Sequence, residues 1–211
     1  MTPDPFVKIC GITRLVDALH ACRQGATALG FVFWPRSPRA VSPDRASEII
    51  AALPANVTTV GVFVNEGLEG IRRVISTTGI GAVQLHGEET PQDSEGVDRP
   101  ILKSVTLDQA VEASHTWPSD AILLLDASDP VRRGGTGVAI DWARAAQVAR
   151  HRSIVLAGGL TPQNVEDAIR TVRPYGVDVS SGVESAPGIK DFDKVSLFVA
   201  NARRAFALVR A

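Results

Sequence analysis

The stretch SIVLAGGLTPQNVEDAIRTVRPYGVDVSSG, Ser153–Gly182, decides the fold. It opens on a short apolar run and breaks at two glycines. It resumes as a segment in which Val165, Ala168, Ile169 and Val172 fall at i, i+3, i+4 and i+7, the spacing of one helix face. A second β-rich run, GVDVSS, closes it. Strand, crossover helix and strand form the unit of a parallel sheet, and such crossovers are right-handed. Thr161 followed by Pro162 supplies the expected helix start, because a capping hydroxyl and a proline at the first helical position both suit a first turn.

The same grammar runs through the rest of the chain. FVKIC, ALGFVF, TTVGVFV, AVQLH, ILKSV and AILLLD are the other β-rich apolar runs. Ala46, Ile49, Ile50 and Leu53 repeat the helical spacing, as do Trp142, Ala145, Ala146 and Ala149, and Val195, Phe198, Val199 and Ala202. Ser42-Pro43 and Thr90-Pro91 repeat the helix start. After ILKSV the pattern is weak, and a short helix around Leu107–Ser114 is expected there. Eight such units without a linker predict a closed eight-stranded parallel sheet, the (β/α)₈ or TIM barrel, as a single α/β domain over residues 1–211. A doubly wound open sheet is disfavoured, since no G-x-G-x-x-G follows the first strand and no P-loop occurs. The cluster GGTG at Gly134–Gly137 reads as a flexible loop.

Composition narrows the function classes. With 45% hydrophobic and 21% charged residues and a formal net charge of −1, the chain has no basic excess for nucleic acid. No apolar segment approaches the ~20 residues that span a bilayer, so no membrane association is expected. MTPDPFVKIC lacks the charged and apolar regions of a signal peptide, and two cysteines make no disulfide framework. A reducing cytoplasm is the expected compartment.

Strand alternation locates the chemistry. In FVKIC, Val7 and Ile9 suit the helix layer, which sends Lys8 and Cys10 into the barrel. In GVDVSS the same logic sends Asp178 and Ser180 inward, and strands eight and one are neighbours in a closed barrel. Lys8 and Asp178 are therefore expected to pair, because a buried charge needs a partner. Gln84 and His86 point inward from the fourth strand, and Asp126 terminates the sixth. These polar groups converge on the C-terminal mouth, where barrels of this type carry their active groups. Cys22, in contrast, completes the stripe Leu15, Ala18, Leu19, Cys22 on the first helix and reads as packing. Gly158 and Gly159 after strand seven, and Ser180, Ser181 and Gly182 after strand eight, stand where this fold holds phosphate. The expected partner is thus a small molecule that carries phosphate.

Seven motifs carry a family resemblance: VKICGIT, GFVFWPRSPR, VGVFVNE, VQLHGEE, LLLDA, LAGGLTPQNV and VDVSSGVESAPGIKD. With them the chain resembles the phosphoribosylanthranilate isomerases of tryptophan biosynthesis, nearly end to end. The resemblance implies a barrel without metal or organic cofactor. It also implies an Amadori rearrangement of N-(5-phosphoribosyl)anthranilate to 1-(2-carboxyphenylamino)-1-deoxyribulose 5-phosphate. By position, Cys10 is then the general base, Asp126 the general acid, and Arg39 the holder of the anthranilate carboxylate. Gly158, Gly159, Ser180, Ser181 and Gly182 fall around the phosphate. A partly desolvated mouth is expected to raise the Asp126 carboxyl so that it can donate a proton. A thiol with an ordinary pKa of about 8.5 is mostly protonated at neutral pH, so a basic neighbour or the substrate is expected to assist Cys10. Arg132 and Arg133 carry no assigned role. Three rival readings stand beside this one. They are another phosphosugar isomerase or synthase on the same barrel, even a bifunctional one; a non-catalytic phosphosugar-binding regulator; and a cysteine hydrolase with His86 as base. The state of assembly is expected to be a monomer or a homodimer.

Overall fold

A computed structural model describes residues 4–127 and 140–210, so Arg132, Arg133 and the GGTG cluster lie outside the described part. The eight strands close into a parallel barrel in chain order. They are β1 (Phe6–Cys10), β2 (Ala28–Val32), β3 (Thr58–Phe63), β4 (Ala82–Leu85), β5 (Ile101–Val105), β6 (Ile122–Leu125), β7 (Ile154–Leu156) and β8 (Gly176–Val179). The helices are α1 (Leu15–Gln24), α2 (Pro43–Ala51), α3 (Leu68–Thr78), α4 (Leu107–Thr116), α5 (Trp142–Ala149), α6 (Val165–Val172) and α7 (Phe192–Val209). A two-stranded antiparallel hairpin, β9 (Glu184–Ala186) and β10 (Ile189–Lys190), follows β8.

Alternation along the strands separates two apolar cores. Val7, Ile9, Leu29, Phe31, Val177 and Val179 face outward and pack with Ala18, Ala168, Ile169, Phe198 and Val199 of the helices. Inside the barrel, Ala28, Val60, Ala82 and Leu102 form one packed layer, with Phe6 and Ile122 against it. Nearer the mouth, Cys10, Val32 and Val62 form another, beside Trp34. All four stripe residues of α6 and all four of α7 are buried, as their spacing requires.

Two local expectations change. The Thr90-Pro91 signal opens only a 3-10 turn, Gln92–Ser94, with the Thr90 amide and hydroxyl both held by Asp93 Oδ2 at 2.7 and 2.8 Å. No apolar stripe follows it, and Gly96 at φ 81° turns the chain away, so β4 has no covering α-helix of its own. The residue preceding α6 is Asn164 rather than Thr161. Its Oδ1 accepts from the Thr161 amide at 2.8 Å and its Nδ2 donates to the Gly159 carbonyl at 2.9 Å, which folds residues 161–164 into a turn under the Gly158-Gly159 loop. The weakly patterned fifth segment does form a helix, because Thr106 and Gln109 close a capping box on α4. Ser42 caps α2 through the Arg45 amide at 3.2 Å.

Candidate active site

Register in the sheet builds the mouth. Lys8 pairs across the strands with Asp178, so both side chains enter the barrel at one level, and Lys8 Nζ donates to Asp178 Oδ1 at 3.0 Å. One pleat further up, Cys10 lies opposite Gly30 of β2. A Cβ on Gly30 would meet Cys10 Sγ at 2.7 Å and Lys8 Cε at 3.0 Å, so the bare glycine leaves the room both side chains occupy. Asp126 extends past the end of β6, its Oδ1 accepting from the Ala127 amide at 2.8 Å and its Oδ2 standing 3.6 Å from His86 Nε2. Gln84 Nε2 lies 3.0 Å from His86 Nδ1, and with the amide so placed the ring proton sits on Nε2, toward Asp126.

Burial sets the electrostatics. It pushes the Cys10 thiol above its usual value, an effect that the Lys8 ammonium opposes and the Asp178 carboxylate reinforces. For Lys8 burial acts against the charge, but Asp178 and Cys10 outweigh it and hold the ammonium above its ordinary pKa. Burial pushes the Asp126 carboxyl up to about 6, although the Ala127 amide stabilises its anion; the nearby Asp178 charge adds to the rise. The mouth thus holds a fixed cation beside a thiol and a carboxyl that is part protonated near neutrality.

Two adjoining cavities open there. The larger, about 90 Å³, is lined by Cys10, Trp34, Arg39, His86, Asp126, Asp178 and Ser180, with the apolar Val32 and Val62. The smaller, about 40 Å³, is walled by Gly158, Gly159, Ser180, Ser181 and Gly182. Asp126, Asp178 and Ser180 border both. Gly158 and Gly159 adopt left-handed φ values of 72° and 68°, a conformation that admits glycine without strain. Ser180 Oγ is buried without a hydrogen-bond partner among the described residues, a donor left over where the two spaces meet.

Of the candidate site residues, Cys10, Arg39, His86, Asp126, Gly158, Gly159, Asp178, Ser180, Ser181 and Gly182 line these two cavities, Lys8 is buried beside Cys10, and Arg132 and Arg133 lie outside the described residues; Cys22 is half-buried and packs against the outer core. Sequence reasoning did not find Trp34, or the two charges of the β9–β10 hairpin, Glu184 and Lys190. Arg39 turns its guanidinium onto Glu184, with Nε at 2.9 Å and Nη2 at 2.7 Å from its two oxygens. Lys190 Nζ reaches Glu184 Oε1 at 2.8 Å and the Cys10 carbonyl at 2.6 Å. No sequence signal marks these contacts, because the hairpin and the Arg39 turn are distant in the chain. Among the described residues, no group of three or more His, Cys, Asp or Glu side chains could hold a metal ion, and no helix is long and apolar enough to cross a membrane.

A closed parallel barrel with a thiol, a raised carboxyl and a glycine-serine loop pair at its C-terminal mouth defines an enzyme of the (β/α)₈ class. Comparison with known proteins narrows the class. The chain belongs to the N-(5'-phosphoribosyl)anthranilate isomerase family, whose model matches residues 7–201. It is 50% identical over 195 residues to the N-(5'-phosphoribosyl)anthranilate isomerase of Pelobacter propionicus, covering 92% of this chain and 93% of that protein. The crystal structure of the phosphoribosyl anthranilate isomerase from Thermotoga maritima superposes with a TM-score of 0.88 at 43% identity, over 95% of this chain and 99% of that one. A further structure of a phosphoribosyl anthranilate isomerase holds reduced 1-(o-carboxyphenylamino)-1-deoxyribulose 5-phosphate. It matches with a TM-score of 0.84 at 42% identity, over 95% and 99% of the two chains.

Proposed function

We propose that this chain converts N-(5-phosphoribosyl)anthranilate to 1-(2-carboxyphenylamino)-1-deoxyribulose 5-phosphate in tryptophan biosynthesis, with Asp126 as general acid and Cys10 as general base. The observation that carries the reading is the position of Asp126, a carboxyl raised to about 6 and set on the border of both cavities. A substrate with its phosphate among Gly158, Gly159, Ser181 and Gly182, and its aromatic end beside Trp34 and Arg39, lays its ribose across that border. Protonated Asp126 then gives its proton to the ring oxygen, the C1–O bond breaks, and the nitrogen lone pair forms an iminium. Cys10, as thiolate, removes the proton at C2, and the electrons flow into the iminium to leave an enolamine. A proton is added at C1 while the C2 hydroxyl releases its own, which gives the 2-ketone, so the reaction is an isomerisation with no net loss of atoms or electrons.

The supporting groups fit these steps. The Lys8 ammonium, kept charged by Asp178, favours the Cys10 thiolate against the burial that opposes it. The Ser180 hydroxyl supplies an unused donor at the phosphate end. Arg39 lines the larger cavity with a planar fork suited to a carboxylate. In this reading the chain acts as one barrel domain, and both cysteines being free supports a reducing, cytoplasmic setting. The test is turnover of freshly made N-(5-phosphoribosyl)anthranilate, followed by loss of substrate fluorescence, with Cys10→Ser beside wild type. Wild type should consume the substrate, and Cys10→Ser should melt near the wild-type temperature with very low turnover. Binding without turnover by the wild type overturns the reading in favour of a phosphosugar-binding protein.

A further inference from the structure

A guanidinium has two flat edges that can each hold a carboxylate: the side edge, Nε with one Nη, and the end edge formed by both Nη atoms. Glu184 occupies the side edge of Arg39, taking Nε at 2.9 and 3.2 Å and Nη2 at 2.7 Å. Glu184 does not engage Nη1, and Arg39 lines the larger cavity. Glu184 is itself fixed: it is 8% exposed and accepts from Lys190 Nζ at 2.8 Å and from the Gly188 amide at 3.2 Å. Lys190 is 3% exposed and anchored on the Cys10 carbonyl. The stem of Arg39 passes against Gly11, where a Cβ would stand 2.7 Å from Arg39 Cδ, so the arginine is confined along its length as well as at its head.

Arg39 and Lys190 thus share one buried carboxylate, and Arg39 at the same time borders the larger cavity. We propose that Glu184 is a positioning residue that aims the end edge of Arg39 and so makes the enzyme select substrates carrying a carboxylate on the aromatic ring. The hairpin of β9 and β10 is then a specificity element, since it delivers Glu184 and Lys190 from the far end of the chain to the Arg39 turn. This inference rests on the proposal that Arg39 holds the substrate carboxylate.

The experiment compares N-(5-phosphoribosyl)anthranilate with N-(5-phosphoribosyl)aniline, which lacks the carboxylate, on wild type, Arg39→Ala and Glu184→Gln. Glu184→Gln should raise KM for the anthranilate substrate about tenfold or more, the scale on which a misplaced positioning group acts. Its kcat, and its KM for the aniline substrate, should stay within about twofold, because only ground-state alignment of one carboxylate is lost. If KM for the anthranilate substrate is unchanged or falls, Glu184 only competes with the substrate for Arg39 and the inference is wrong. If both substrates suffer equally, Glu184 is merely structural and the inference is again wrong. Arg39→Ala separates the two levels: it should raise KM for the anthranilate substrate and leave that for the aniline substrate little changed, and if it affects both equally or neither, the role of Arg39 fails, whatever Glu184 does. Glu184→Asp keeps the charge that the two cations need but withdraws it by one methylene. It should show the same selective rise in KM to a smaller degree, which keeps the test open where Glu184→Gln does not fold.

Discussion

Lys8 and Lys103 are both buried, both lie within strands and both end on a carboxylate, yet they stand on opposite faces of one sheet. Lys8 points into the barrel, reaches Asp178 at 3.0 Å and sits beneath Cys10. Lys103 shares the orientation of its strand neighbours Leu85 and Leu123, which face the helices. Its Nζ donates to Glu89 Oε2 and to the Gly87 carbonyl, each at 2.8 Å, and it lies over the Trp117 ring at 5.6 Å. Glu89 in turn accepts from the Asn65 amide at 2.7 Å and the Gly87 amide at 2.8 Å. That cluster ties the loop after β4 to β5 and to the loop after β3. The same chemical pair therefore serves two ends: inside the barrel the cation stands beside the thiol proposed to act as base, and outside it the cation holds the loop after β4. Burial and pairing alone do not reveal which, and the face of the strand does.

The largest effect that separates the faces is catalytic. Asp126→Asn keeps the shape of the inner cluster but cannot hand over a proton, and should lose about 10²–10⁴-fold in kcat and in kcat/KM together. Steady-state kinetics on a folded variant decides it; more than about a tenth of wild-type kcat sinks the role of Asp126 as acid.

Next come the two lysines. Breaking a buried pair by removing one partner costs about 3–5 kcal/mol, so Lys8→Met and Lys103→Met should both melt well below wild type. Their folded fractions should differ. Lys8→Met should also lose about tenfold or more in kcat/KM, as each unit by which the thiol pKa rises is worth ~1.4 kcal/mol. Lys103→Met should keep kcat within a few-fold. Equal activity losses in the two variants would erase the distinction between the faces.

A smaller effect runs in the opposite direction. The Asp126 carboxyl stands near 6 in the folded protein and at about 3.9 in an unfolded chain, so the folded state prefers it protonated. Its contribution is fully present below about pH 3.9 and is lost as pH rises through about 6. Asp126→Asn removes that loss. It should be more stable than wild type at pH 8, by up to ~3 kcal/mol, with the gap closing toward pH 4. Thermal melts across that range test the sign, and a variant less stable than wild type at pH 8 shows that the inner carboxyl is not raised. The mildest change is on the outer side: Cys22→Ala should cost of order 1 kcal/mol in stability and leave kcat alone. If a thiol reagent inactivates wild type and Cys10→Ser alike, the roles of the two cysteines are exchanged.

Legibility in the sequence followed the range of each interaction. Alternation has a period of two residues and needs no knowledge of the rest of the fold, so Lys8, Cys10, Asp178 and Ser180 could be oriented from short runs, and Asp126 from its place at the end of one. Closure of the barrel then brought β8 beside β1 and paired Lys8 with Asp178. Arg39 and Glu184 are 145 residues apart and sit on loops, where no period constrains direction, so the contact that orients Arg39 was invisible. Thr90-Pro91 misled for a different reason. A start signal lowers the cost of the first turn, but a helix persists only if an apolar stripe follows to be buried, and residues 92–100 offer none. Thr161-Pro162 marked the right neighbourhood, with Asn164 three residues later taking the position before α6.

The absent helix has a consequence for how the molecule breathes. A closed barrel has no free edge, so its sheet can open only by parting two neighbouring strands, and the seam that parts first is the one with least packed over it. Around most of the ring that cover is a helix burying an apolar stripe. At β4, Val83 and Leu85 are fully buried in the outer core, but the element that follows the strand is a 3-10 turn with the Lys103–Glu89 pair beside it rather than an α-helix. Amide protons of β4 should therefore exchange with solvent through a smaller, cheaper opening than those of β1 or β8. The site is built mainly from strands across the ring from that seam, so the barrel can flex at β4 while Cys10, Lys8 and Asp178 hold their register.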